Sequence, residues 1–140
     1  MSLSKASIKV GDTHSAVVVD NLSRTQIVQY AGASGDYNPL HTDEIYATKV
    51  AGFPTVFAHG MLTMGLTARL VTDWVGDGRL LSLGSRFERQ VWPGDTLTAT
   101  ATVEGIEEGD SGPVVQLSIQ TVNQSGDRVL SGTASARLDP

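Results

Sequence analysis

The chain has 140 residues, 40% of them hydrophobic, with a formal net charge of -5 and no cysteine. That length suits one domain with a single core over residues 1–140. The acidic balance argues against a nucleic-acid partner, which calls for a basic face. The lack of cysteine excludes disulfides, thiolate catalysis and Cys-ligated metals.

No basic N-terminal stretch leads into an apolar one, and no apolar run is long enough to span a bilayer, so a cytoplasmic protein without a membrane partner is expected. Asn21-Leu22-Ser23 and Asn123-Gln124-Ser125 fit the glycosylation pattern but carry no weight without a secretion signal. Only three histidines are present, so acid/base chemistry near neutral pH has few candidates.

In chain order, Ser23 is placed to cap a helix through Gln26-Ile27-Val28-Gln29-Tyr30-Ala31 that ends by Gly35. Thr42 or Asp43 would cap a short helix over Glu44-Ile45-Tyr46-Ala47, and Gly52-Phe53-Pro54 then forces a turn. The longest helix is predicted from His59 or Gly60 to about Val75, apolar on nearly every side and therefore buried, with Gly76 and Gly78 as its stop.

Beyond it the sequence reads as strand and turn. Leu80 to Phe87 forms one candidate strand, and Trp92-Pro93-Gly94-Asp95 a turn. Leu97, Ala99, Ala101 and Val103 alternate with threonines, Val115, Leu117 and Ile119 with polar residues, and Leu130, Gly132, Ala134, Ala136 and Leu138 likewise. Three or more antiparallel strands after one buried helix imply an α+β fold with the sheet wrapped around the helix.

The densest polar cluster is Ser34-Gly35-Asp36-Tyr37-Asn38-Pro39-Leu40-His41-Thr42-Asp43. Asp36 and His41 lie five positions apart across an Asn-Pro turn, which would let a carboxylate and an imidazole hold one water and trade protons. Turn chemistry alone accounts for the same residues, with Asp36 and Asn38 bonding to the backbone and His41 a satisfied surface residue. A calcium loop fails at Leu40, which stands where the third oxygen ligand belongs. His41 and Asp43 would be only two ligands, so no metal is expected.

Ala58-His59-Gly60-Met61 opens the long helix. The first N–H groups of a helix lack intrahelical partners, and glycine lets a ligand's carbonyl approach, so the Gly60 N–H is a candidate oxyanion donor. Relief of crowding between helix and sheet explains the same glycine. His59 fits a satisfied or capping residue better than a second base. Gly32-Ala33-Ser34-Gly35 lacks the spacing of a nucleophile elbow, and Gly60 to Gly65 has P-loop outer spacing without the following lysine.

Taken together these segments resemble the MaoC-like (R)-specific enoyl hydratase and dehydratase family. Residues 30 to 41 look like its hydratase motif, Ala58-His59-Gly60-Met61 like its helix opening, and Val91-Trp92-Pro93-Gly94-Asp95-Thr96 like its later turn. The resemblance covers roughly residues 20 to 138. It implies a hot-dog fold, usually dimeric, acting on a thioester of coenzyme A or acyl carrier protein, with neither cofactor nor metal.

By the same resemblance, Asp36 and His41 activate the water added across the 2,3 double bond, and the Gly60 N–H polarises the thioester carbonyl. His41 is the preferred base toward water and Asp36 the group exchanging the C2 proton, an assignment that can be reversed. Asn38 would orient the loop, and Phe53, Phe57, Met61, Met64 and Leu66 are candidate pocket residues. Arg86 and Arg89 are the only cations singled out for a carrier phosphate.

Some members carry a serine eight residues beyond the motif glycine, where this chain has Ala68. The segment through Val71-Thr72-Asp73-Trp74-Val75-Gly76-Asp77 also resembles catalytic subunits of heterodimeric fatty-acid-synthase dehydratases. The expected partner is thus a second copy or a related hot-dog subunit. A non-catalytic acyl-thioester binder has no use for both Asp36 and His41.

Overall fold

The computed structural model describes residues 3–140. Its elements in chain order are β1 (Thr13–Val19), α1 (Arg24–Ser34), α2 (Gly60–Val75), β2 (Leu80–Phe87), β3 (Leu97–Gly109), β4 (Gly112–Val122) and β5 (Arg128–Arg137). A 3-10 turn at Lys5–Ser7 precedes them, and a π-helical turn at Tyr46–Val50 lies between α1 and α2.

The strands form one antiparallel sheet in the order β1-β3-β4-β5-β2. α2 touches all five, so the sheet curves round the helix as the sequence predicts. Alternation is the cause. Leu97, Ala99, Ala101 and Val103 of β3 are all at most 1% exposed, while the intervening threonines are only half-buried on the outer face. Pairing then aligns Val103, Leu117 and Ala134 in one row across β3, β4 and β5. Ala134 and Ala136, being small, leave room for α2 against β5.

Two local expectations hold closely. Ser23 accepts the Gln26 N–H at 3.0 Å in a capping box that starts α1, and Gly35 ends it in the left-handed region at φ 76°. The turn before β3 is closed by Asp95, whose carboxylate accepts the Trp92 N–H at 2.9 Å.

Other expectations are corrected. β1 was not foreseen; as an edge strand paired only to β3 it buries little besides Val19 and carries no clean alternation. The short helix expected over residues 44–47 continues to Val50 as a π-helical turn, with Asp43 capping through the Tyr46 N–H at 3.0 Å. β3 runs on past Val103 to Gly109.

α2 is not buried on every side. Met61, Gly65, Arg69 and Asp73 make an open stripe at four-residue spacing, while Thr63, Thr67, Leu70, Val71 and Val75 are buried. The buried threonines are accommodated by hydrogen bonds. Thr67 Oγ1 donates to the Thr63 carbonyl at 3.0 Å and lies 2.6 Å from Thr121 Oγ1 on β4.

Candidate active site

From Ser34 to Leu40, just after α1, the chain folds on polar links rather than apolar burial. Ser34 Oγ accepts the Asp36 N–H at 3.2 Å, Asp36 Oδ1 accepts the Asn38 N–H at 3.2 Å, and Asn38 Oδ1 accepts the Leu40 N–H at 3.0 Å. These short-range bonds replace helix hydrogen bonds and make a tight descending loop. The His41 N–H then bonds to the Asn38 carbonyl at 3.0 Å. Turn chemistry is therefore present, and it delivers Asp36 and His41 to one place.

His41 is nearly buried at 9% exposure. Its Nδ1 lies 2.6 Å from the Phe57 carbonyl. A carbonyl oxygen only accepts, so Nδ1 carries the proton and Nε2 keeps its lone pair. Burial holds the His41 pKa below its ordinary value of 6.5, and the neighbouring His59 pushes the same way. The Phe57 carbonyl and the Asp36 carboxylate oppose this. The result is an imidazole that is a free base at neutral pH, beside an exposed carboxylate.

Of the two roles expected for His59, that of a buried, hydrogen-bonded residue holds and that of a capping residue does not. His59 is 1% exposed, its ring stacks on His41 with centroids 3.8 Å apart, and its Nε2 donates to the Asp36 carbonyl at 3.0 Å. It stands at the cap position of α2, yet its side chain makes no cap hydrogen bond. One ligand-type atom from each of Asp36, His41 and His59 falls within 4.8 Å of the others. The only sequence signal was its place directly before Gly60.

Gly60 begins α2, and its N–H has no hydrogen-bond partner among the described residues. A Cβ here would lie 3.0 Å from the Phe87 ring, so close packing and access to the backbone both favour glycine. A cleft of about 280 Å³ opens at this point, lined among others by Phe57, Gly60, Thr63, Phe87, Arg89 and Val129. It adjoins the Asp36–His41 pair through Phe57, whose carbonyl holds His41 and whose ring packs edge-on against it at 5.3 Å.

The remaining expected site residues are dispersed. Phe53 packs edge-on against Phe57 at 4.9 Å, behind the cleft wall. Met64 and Leu66 pack against the core, whereas Met61 is 54% exposed on the open stripe of α2. Asn38 spends its carboxamide oxygen on the loop itself. Arg89 lines the cleft and Arg86 does not. Phe87 and Val129 were missed because β2 and β5 bring them in from distant parts of the chain, and Thr63, one turn beyond Gly60, because it is a buried residue of α2 that no motif marks.

The loop is also tied down from outside. Arg24 at the start of α1 donates to Glu44 at 2.7 Å and to Thr55 at 2.8 Å. Arg24 and then Thr55 hold the Glu44 pKa below its ordinary value.

The chain is similar in sequence and fold to several known proteins. The (R)-specific enoyl-CoA hydratase of Rhodospirillum rubrum is 38% identical over 99 residues, which is 69% of this chain and 68% of that protein. The 3-hydroxyacyl-thioester dehydratase Y of Mycobacterium tuberculosis is 37% identical over 90 residues, 62% of this chain, but the match spans only 31% of that longer protein. An unliganded R-hydratase of Pseudomonas aeruginosa superposes with a TM-score of 0.85 at 28% identity, covering 99% of this chain and 86% of the other. The description "MaoC like domain" matches residues 6–124, and the chain belongs to that family, with its hot-dog fold.

Proposed function

We propose that the chain is a hydro-lyase that hydrates trans-2-enoyl thioesters to (3R)-hydroxyacyl thioesters, or runs the reverse dehydration. The observation that carries this reading is the His41 tautomer: with Nδ1–H given to Phe57, Nε2 is a free base beside the Asp36 carboxylate. In hydration His41 Nε2 takes a proton from water as the water oxygen bonds to C3, and the Asp36 carboxylate relays that proton from His41 to the enolate carbon C2, so that both groups end as they began. Dehydration reverses both transfers. The Gly60 N–H at the positive end of α2 would receive the thioester oxygen as it gains enolate charge. Adjacent alkyl and aryl walls of the cleft would hold the acyl or carrier arm, with Arg89 the cation on its rim.

The substrate is proposed as a thioester of coenzyme A or acyl carrier protein. The assembly is proposed as a dimer of this chain or of this chain with a related hot-dog subunit. β2 is an edge strand with Leu81 and Phe87 about half exposed, a surface suited to a second subunit.

The test is a spectroscopic assay of purified protein with crotonyl-CoA and longer trans-2-enoyl-CoAs, followed by chiral analysis of the product. A (3R)-hydroxyacyl product is expected. An (S) product, or cleavage of the thioester, would overturn the assignment.

A further inference from the structure

We propose that His59 is a positioning residue that fixes both members of the Asp36–His41 pair, anchoring Asp36 through its backbone carbonyl and supporting the His41 ring by stacking. The proposal rests on the hydro-lyase reading for its consequence in turnover, but not for its geometry.

His59 leaves two ordinary bonds unmade. It makes no cap bond to α2, and its Nδ1 is buried with no hydrogen-bond partner among the described residues. An unpaired buried acceptor is unfavourable, and an apolar ring would fill the same volume without it. The imidazole is explained by its other nitrogen. Nε2 reaches 23 positions back to the Asp36 carbonyl, and a carbonyl requires that this nitrogen carry the proton.

That bond falls at a critical place. Asp36 is exposed, and among the described residues its own side chain hydrogen-bonds only to the Asn38 N–H two residues on. Gly35, immediately before it, has left-handed backbone geometry that adds no side-chain contact. The His59 bond is therefore the long-range tie that sets Asp36 against the body of the protein. The same ring lies 3.8 Å from the His41 ring at an interplanar angle of 27°. Tyr30 of α1 meets the same His59 ring edge-on at 4.8 Å. One buried ring thus references the carboxylate loop, the base and α1 to the start of α2. Loss of about 1 Å of placement costs on the order of 100-fold in rate when reacting groups must align.

Two substitutions separate the tie from mere filling of space. His59→Phe keeps a ring and removes the N–H, whereas His59→Gln can present an amide N–H where Nε2 stood. The expected result for His59→Phe is a kcat about 10- to 100-fold lower, with KM changed less than about threefold. His59→Gln is expected to regain at least half of that loss on a logarithmic scale. Should His59→Phe fail to fold, His59→Asn replaces it, since its shorter amide does not extend to the Nε2 position.

Wild-type kcat in the folded Phe or Asn variant would overturn the proposal, as would a Gln variant no better than either. A second readout needs no substrate. Long-range proton–nitrogen NMR of the three imidazoles should find His59 as the Nε2–H tautomer and His41 as the Nδ1–H tautomer. An Nδ1–H tautomer at His59 would remove the tie even if every enoyl thioester were turned over. Inactivity of the wild type with the expected tautomers would instead count against the hydro-lyase reading alone.

Discussion

The middle of the sheet and the loop at its mouth are held by different physics. Across β3, β4 and β5, Val103, Leu117 and Ala134 stand in register and are each at most 2% exposed, so this region is secured by apolar burial. From residue 34 to residue 40 no side chain is buried; the loop is held by hydrogen bonds from Ser34, Asp36 and Asn38 and by the His59 tie. The contrast suggests a division of labour. The apolar row sustains stability, while the polar loop places reactive groups at a rim where water can reach them.

The sharpest way to break that division is at the pair itself. Asp36→Asn and His41→Ala should each lower kcat at least ~100-fold, the scale of acid/base groups. Asp36→Asn should leave the thermal midpoint close to wild type, because the side chain is exposed. Near-wild-type turnover by both folded variants in the enoyl-CoA assay would take the pair out of the mechanism.

Leu117→Ala probes the other region. It deletes a 1% exposed side chain from the centre of β4 and should cost about 2–5 kcal/mol in urea unfolding. The kcat of the remaining folded protein should change little. A stability loss below ~1 kcal/mol, or a large fall in kcat at full folding, would show that the two regions are not separable as described.

The same contrast explains what was legible in the sequence. The β3 and β4 faces could be read because alternation is imposed wherever one side of a strand is buried, and α1 because its cap and its terminal glycine are local signals. β1 escaped because an edge strand with exposed Val17 has little need of alternation. That Asp36 and His41 meet could be read from their spacing along one turn, but a role for them came only from the family resemblance. The His59–Asp36 bond could not be read, because nothing short-range marks a side chain that reaches a backbone carbonyl 23 positions away. The cleft was only partly foreseen for the same reason: Phe57 and Gly60 sit near the motifs, but Phe87 and Val129 arrive through sheet pairing.

A smaller effect, and a finer one, concerns pH. Burial is the largest influence on His41 and holds its pKa below 6.5. A base works when neutral, so kcat/KM should persist as pH falls through 6.5 and decline only nearer the lower folded-state value. Stability follows the same sign. The unfolded chain takes up this proton at higher pH than the native one does, so the stabilisation is present above about 6.5 and fades as pH falls through the folded-state pKa. NMR titration of His41 locates that value without any substrate. The Asp36 carboxylate pulls the His41 pKa upward, so Asp36→Asn should move the midpoint further down. An unchanged or raised midpoint in that variant would mean that the two groups do not sense one another, and a polar loop that fails to couple them would lose its reason for bringing them together.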